Sequence, residues 1–167
     1  MSAPWRARGD RRPRLHVNGA PGVAKSSPPP RNSGAGAAYR DRVTAARQSL
    51  GRAAEDLAAE RLVAAGLRVV ERNARTRLGE LDIVARDEDV LAFVEVKAQT
   101  TGSRSGPERP ALAVGPAKQR RLRRLAREWL AGRARLGGVR AFRFDVVGVL
   151  FDRDGGVAAY EHIRDAF

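Results

Sequence analysis

Two stretches of the chain carry the apolar spacing of a helix, and five carry the runs of a strand. Over residues 47–66, Ala54, Leu57, Ala58, Leu62 and Ala65 recur at helical intervals, and Gly66 is a natural stop. A second helix opens at Pro116, where a residue without an N–H is tolerated because that N–H would go unpaired anyway. Its stripe is Leu122, Leu125, Ala126, Trp129 and Leu130. Strands are expected at 67–72, 80–85, 90–97, 139–150 and 157–163, with the polar turn Asp87-Glu88-Asp89 closing a hairpin between the second and third. Residues 98–115 form a loop rich in Gly, Ser, Thr and Pro, long enough to suggest a function of its own. The order is α-β-β-β-α-β-β, without internal repeats.

Ahead of this lies a stretch with no apolar period. The first 39 residues hold six of the nine prolines, with many Gly, Ser and Arg. Such a segment buries too little surface to offset the entropy of ordering, so residues 1–44 are expected to be a disordered basic tail before a single domain, 45–167. The tail is either an electrostatic arm for phosphates or an extension without a role.

Charge narrows the function. The chain carries 32 Lys and Arg against 19 Asp and Glu, a net of +13, of which residues 1–36 contribute +6. The folded part is therefore basic on its own, which favours a polyanionic partner. No stretch approaches the roughly 20 apolar residues of a membrane span, and no secretory signal is visible, so a cytoplasmic, nucleoid-associated place is expected and membrane association is not. There is no cysteine, which excludes disulfides, thiolate zinc sites and cysteine nucleophiles. The two histidines, His16 and His162, are far apart. A metal here would be held by carboxylates, which favours Mg²⁺ or Mn²⁺.

Carboxylates do occur where strands should be apolar. The third strand reads Leu91-Ala92-Phe93-Val94-Glu95-Val96-Lys97, and its period of two points Glu95 and Lys97 the same way. In the preceding strand Glu80 and Asp82 share a face, and a hairpin brings Asp82 toward Glu95. Buried charges of this kind cost stability unless compensated. A divalent cation relieves two adjacent carboxylates; a plain ion pair of Glu95 with Lys97 or an arginine is the structural alternative.

Several motifs follow one another in order: Gly51-x-x-Ala54-Glu55, Glu71-Arg72-Asn73, Gly79-Glu80-Leu81-Asp82-Ile83-Val84-Ala85, Phe93-Val94-Glu95-Val96-Lys97, Pro116-x-Lys118-Gln119, Arg143-Phe144-Asp145-Val146-Val147 and the closing His162-Ile163-Arg164-Asp165-Ala166-Phe167. In this the chain resembles the YraN-type family of uncharacterised bacterial proteins, which is similar to the PD-(D/E)XK nucleases and their Holliday junction resolvases. The resemblance covers residues 51–167. It implies an α/β, restriction-endonuclease-like core, a mixed sheet flanked by helices. It also implies that Asp82 and Glu95 bind the metal, that Lys97 is the catalytic lysine and that Glu55 assists from the first helix. Leu81 stands where the superfamily has Pro, Ala74 where an aromatic is common, and Ala98-Gln99 where a polar or basic pair is frequent.

The implied function is a Mg²⁺- or Mn²⁺-dependent endonuclease acting on DNA, on branched or repair and recombination intermediates, with a homodimer implied by the paired cuts of resolvases. The second helix adds a basic face, with Lys118, Gln119, Arg120, Arg121 and Arg124 as expected nucleic-acid contacts and Arg123 and Arg127 beside them; the resemblance implies that Lys118 and Gln119, in its first turn, point toward the active site. Arg104 and Arg109 in the 98–115 loop are placed to close over nucleic acid. Trp129 is expected in the core, and Asp145 as a structural partner for an arginine. The alternative function is a non-catalytic nucleic-acid-binding module with a nuclease fold; RNA binding through the arginines is a third. No base-reading helix is apparent, so backbone or structure recognition is expected.

Overall fold

The computed structural model describes residues 33–103, 109–133 and 136–167. Its elements are α1 (Ser33–Ala64), β1 (Arg68–Thr76), β2 (Gly79–Asp87), β3 (Val90–Thr100), α2 (Pro116–Ala131), β4 (Ala141–Phe151) and β5 (Val157–Ile163), with a 3-10 turn at Pro110–Ala113 before α2. The strands form one sheet in the order β1-β2-β3-β4-β5. All neighbours are antiparallel except β3 and β4, which run parallel. A parallel pair needs a crossover, and the 3-10 turn and α2 supply it.

This is the mixed sheet with flanking helices, in the α-β-β-β-α-β-β order, that periodicity and resemblance imply. The central strands are covered on both faces, which is why β3 reads as a continuous apolar run. On one face Leu91 and Phe93 pack with Leu122, Leu125, Ala126 and Trp129 of α2. On the other, Ala92 and Val94 pack with Ala54, Ala58 and Leu62 of α1. Trp129 is buried as expected, edge-on to Phe93 at 5.7 Å between ring centres.

Three elements extend well past the expected boundaries, the first being β1, which runs to Thr76 and not Arg72. β3 continues to Thr100, three residues into the stretch read as loop. α1 begins at Ser33, so residues 33–44, read as tail, are helical. From Gly36 to Leu50 this helix is exposed apart from a half-buried Val43 and Leu50, so no apolar period marks it. Residues such as Ala37, Ala38, Arg40 and Arg42 carry it by intrinsic propensity instead. The expected disordered segment 1–32, with His16, lies outside the described residues. No helix among the described residues is long and apolar enough to cross a membrane.

Candidate active site

The pairing of β2 with β3 runs from Asp87↔Val90 to Ile83↔Val94 and stops. One step further, Asp82 would face Glu95. The strands part there, and Asp82 Oδ2 accepts the Val96 N–H at 2.8 Å. A side-chain carboxylate thus takes a hydrogen bond that a strand partner would otherwise make.

Glu95 is 2% exposed. Its Oε1 accepts from the Lys97 ammonium and also from Lys118 Nζ at 2.8 Å. Its Oε2 is buried with no hydrogen-bond partner. Leaving a carboxylate oxygen desolvated and unpaired is costly, and such an atom in a folded protein calls for an explanation. Burial and then the negative charge of Glu95 push the Asp82 carboxyl up to about 6, against the pull of the Val96 N–H, Lys118 and Lys97. The unpartnered oxygen and the raised carboxyl both follow from burying two acids side by side, which Lys97 and Lys118 offset only in part.

Glu55 belongs to a neighbouring group. Asn73 lies within β1 with φ of 49°, a left-handed conformation that Asn tolerates better than most residues. With its amide turned to satisfy its neighbours, its nitrogen donates to Glu55 Oε2 at 2.9 Å and to Glu80 Oε1 at 3.3 Å. Burial raises the Glu55 carboxyl, opposed by Asn73 and Arg72 and reinforced by Glu80 and Asp56. The structure thus brings Asp82, Glu95 and Lys97 together, with Lys118 added. It sets Glu55 against Asn73 and Glu80.

The expected nucleic-acid contacts separate. Lys118 points into the carboxylates. Gln119 donates its side-chain N–H to the Val114 carbonyl at 3.1 Å, bracing the entry to α2. Arg121 lies over Gly79, its guanidinium 2.6 Å from where a β-carbon would be, and Gly79 takes a φ of 138° that favours glycine. Arg120 and Arg124 are exposed, and with Ala117, Arg123 and Arg127 they line a groove of roughly 440 Å³. Arg123 is held over the rings of Phe144 and Phe167 at 5.8 and 5.1 Å. Arg109 is engaged in an ion pair with Glu161, and Arg104 lies outside the described residues.

Asp145 has the structural role expected of it. It is fully buried, accepts from Arg143 Nε at 3.0 Å, lies 2.9 Å from His162 Nε2, and takes the Asp165 N–H at 2.9 Å. Burial works against its charge, but His162, the Asp165 N–H and Arg143 outweigh it and hold the carboxyl below its ordinary range.

A divalent cation fits the donor set. Asp82 and Glu95 offer hard oxygens, and Glu95 Oε2 lacks a partner. Among the described residues no cluster of three or more His, Cys, Asp or Glu converges on one point, so two carboxylates would hold it, with water or phosphate completing the shell. Mg²⁺ tolerates such sparse protein ligation.

Sequence comparison adds relatives. The family described as "Uncharacterised protein family UPF0102" matches residues 54–149, which take in every residue of this cluster. The chain is 53% identical over 121 residues to a UPF0102 protein of Streptomyces griseus, covering 71% of this chain and 96% of that one. It is 48% identical over 122 residues to one from Anaeromyxobacter dehalogenans, covering 72% and 85%. A third, from Pelotomaculum thermopropionicum, is 45% identical over 122 residues, covering 73% and 98%.

Proposed function

The chain belongs to the uncharacterised protein family UPF0102, and on that premise we propose that it hydrolyses phosphodiester bonds in DNA with a Mg²⁺ or Mn²⁺ ion held by Asp82 and Glu95. The observation that carries this reading is Glu95: a carboxylate 2% exposed, beside a second acid, with one oxygen unpartnered.

Hydrolysis forms a bond from a water oxygen to phosphorus and breaks one to a bridging oxygen; the water loses a proton and the departing oxygen gains one. When bound, the cation supplies Lewis-acid stabilisation of the charge that builds on the phosphate. Glu95, with its unpartnered Oε2, and Asp82 would hold it. The ammonium of Lys97, on a side chain 29% exposed, would stabilise the charge that builds on the phosphate. Lys118 supplies a second positive charge at the same place. Glu55, with its raised carboxyl, is the neighbouring group able to take or relay a proton. The exposed arginines of α2 hold the DNA backbone by charge.

A second reading has an observation in its favour. Asp82 and Glu95 are matched in number by Lys97 and Lys118, so the cluster is neutral without a metal, as a structural ion network in a binding module would be. The two separate on labelled four-way junction, flap, single-stranded and duplex DNA with Mg²⁺ or Mn²⁺, alongside Asp82→Ala and Glu95→Ala. Metal-dependent cutting lost in both variants, with metal-free binding kept, supports the nuclease. Tight, salt-sensitive binding without cutting on any substrate supports the binding module.

A further inference from the structure

Beyond Lys97, β3 runs on through Ala98, Gln99 and Thr100 with β4 on one side and no paired strand on the other among the described residues. Val96 gives its N–H to Asp82, away from β4, whereas Thr101 gives its N–H to the Phe151 carbonyl on β4. Strand alternation therefore turns the N–H groups of Ala98 and Thr100 to the open side. There the first half of α1 and the β4–β5 turn bound a groove of roughly 770 Å³ that takes in Lys97. Val43, Leu50, Val96 and Phe151 give it apolar walls, and the exposed Arg47 and Arg153 line it as well. The acid in the lining, Asp152, turns its carboxylate into its own loop, where it accepts the N–H groups of Asp154 and Gly156 at 2.9 and 2.7 Å.

We propose that this groove binds a single-stranded nucleic-acid segment continuing from the phosphate at Asp82, Glu95 and Lys97, with Arg47 and Arg153 taking its phosphates. The position of that first phosphate rests on the nuclease reading; the groove's affinity does not. Its volume falls within the ~300–1,000 Å³ of small-ligand sites, which suits one or two nucleotides and not a double helix. Apolar walls beside guanidinium groups match a chain with bare base faces and an anionic backbone. A duplex hides its bases and presents phosphates, so apolar walls offer it little. The contrast with α2 supports the assignment: the groove there is lined by Ala117 and four arginines, a surface for duplex backbone. Amides at Ala98 and Thr100 add donors for a phosphate or a base edge.

The test is fluorescence anisotropy in EDTA with labelled oligothymidylate and a blunt duplex of equal length, over a range of salt. The Arg47→Gln/Arg153→Gln double variant is compared with wild type and with Arg140→Gln, an exposed arginine at the other end of β4. The expected result is single-strand affinity about tenfold weaker in the double variant, with a salt slope shallower by about 1.4, since each phosphate contact on a single strand contributes about 0.7. Duplex binding should stay the same, and Arg140→Gln should match wild type on both. Equal losses on both DNAs, no loss on either, or a wild type that does not bind oligothymidylate would each overturn the proposal. A protein that cuts nothing in the metal assay but shows the selective loss would sink the nuclease reading and leave the groove standing.

Discussion

Lys118, from the first turn of α2, reaches the same Glu95 oxygen that Lys97 holds from two residues along β3. Two ammonium groups on one oxygen are partial substitutes for each other. Lys118→Ala alone should therefore cost about 1–2 kcal/mol, the lower part of the range for disrupting a buried charge interaction. Removing both lysines leaves Glu95 buried without compensation. The Lys97→Ala/Lys118→Ala variant should lose more than the sum of the singles, with a coupling of about 0.5–3 kcal/mol in urea unfolding. Additive losses would mean that the lysines act independently and that the shared oxygen is not the link.

Asp82 gives a pH dependence of definite sign. Its carboxyl is pushed from 3.8 to about 6 by burial and Glu95, so the folded state holds its proton more tightly than the unfolded state. Its stability contribution is complete below 3.8 and is lost as pH rises through about 6. Asp82→Asn removes that loss, and at pH 7 it should be more stable than wild type by up to about 3 kcal/mol, with no gain near pH 4. Unfolding midpoints at the two pH values test this. A variant no more stable at pH 7 would mean that the Asp82 charge is already compensated.

The same raised carboxyl should govern the metal. Below about pH 6 a cation must displace a proton from Asp82, so Mn²⁺ affinity should fall as pH drops through that point. Calorimetric titration of wild type should show proton release on binding, and Glu95→Gln should bind far more weakly. Affinity that is flat from pH 5 to 7, or kept in Glu95→Gln, would place the ion elsewhere.

Asp145 should behave in the opposite sense. Hydrogen bonds from His162, Asp165 and Arg143 hold its carboxyl below the ordinary value of 3.8, so it stabilises the fold above that pH and the contribution is lost as pH falls further. Asp145→Ala leaves Arg143 with Asp87 alone and frees the closing segment at His162 and Asp165. A cost of roughly 3–5 kcal/mol is expected, as for one partner removed from a buried ion pair. A loss below 1 kcal/mol in denaturant unfolding would show that the network is dispensable.

The element order and the central acids were legible in the sequence because each rests on a local rule. Glu95 and Lys97 stand out as charges inside an apolar run, and alternation alone sets Asp82 one strand away. The destination of Lys118 is not local. Its place off the α2 stripe shows that it avoids the core, and resemblance alone points it toward the active site; the contact with Glu95 depends on how α2 packs over the sheet. Asn73 shows no periodic signal; its bridge between Glu55 and Glu80 depends on a left-handed backbone. Glu55 is grouped with Asp82 and Glu95 by resemblance, whereas its neighbours in the fold are Asn73, Arg72 and Glu80. The first turns of α1 escape a reading based on apolar spacing because they bury almost nothing.

Gly148 fixes where the crossover begins. A β-carbon there would lie 2.6 Å from the Ala111 backbone nitrogen and 3.0 Å from its β-carbon, so the 3-10 turn before α2 rests directly on the bare backbone of β4. Ala111 is 4% exposed and packs in the core beneath α2. Backbone cannot yield as a flexible side chain can, so Gly148→Ala should cost about 1–3 kcal/mol by overpacking. The strain should also shift the turn and α2 together and draw Lys118 away from Glu95. Crosslinking or amide exchange at Lys118 and Gln119 should then report loosening, while Leu91 and Phe93 in β3 stay protected. Full stability with unchanged exchange at Lys118 would mean that the turn does not set the position of α2.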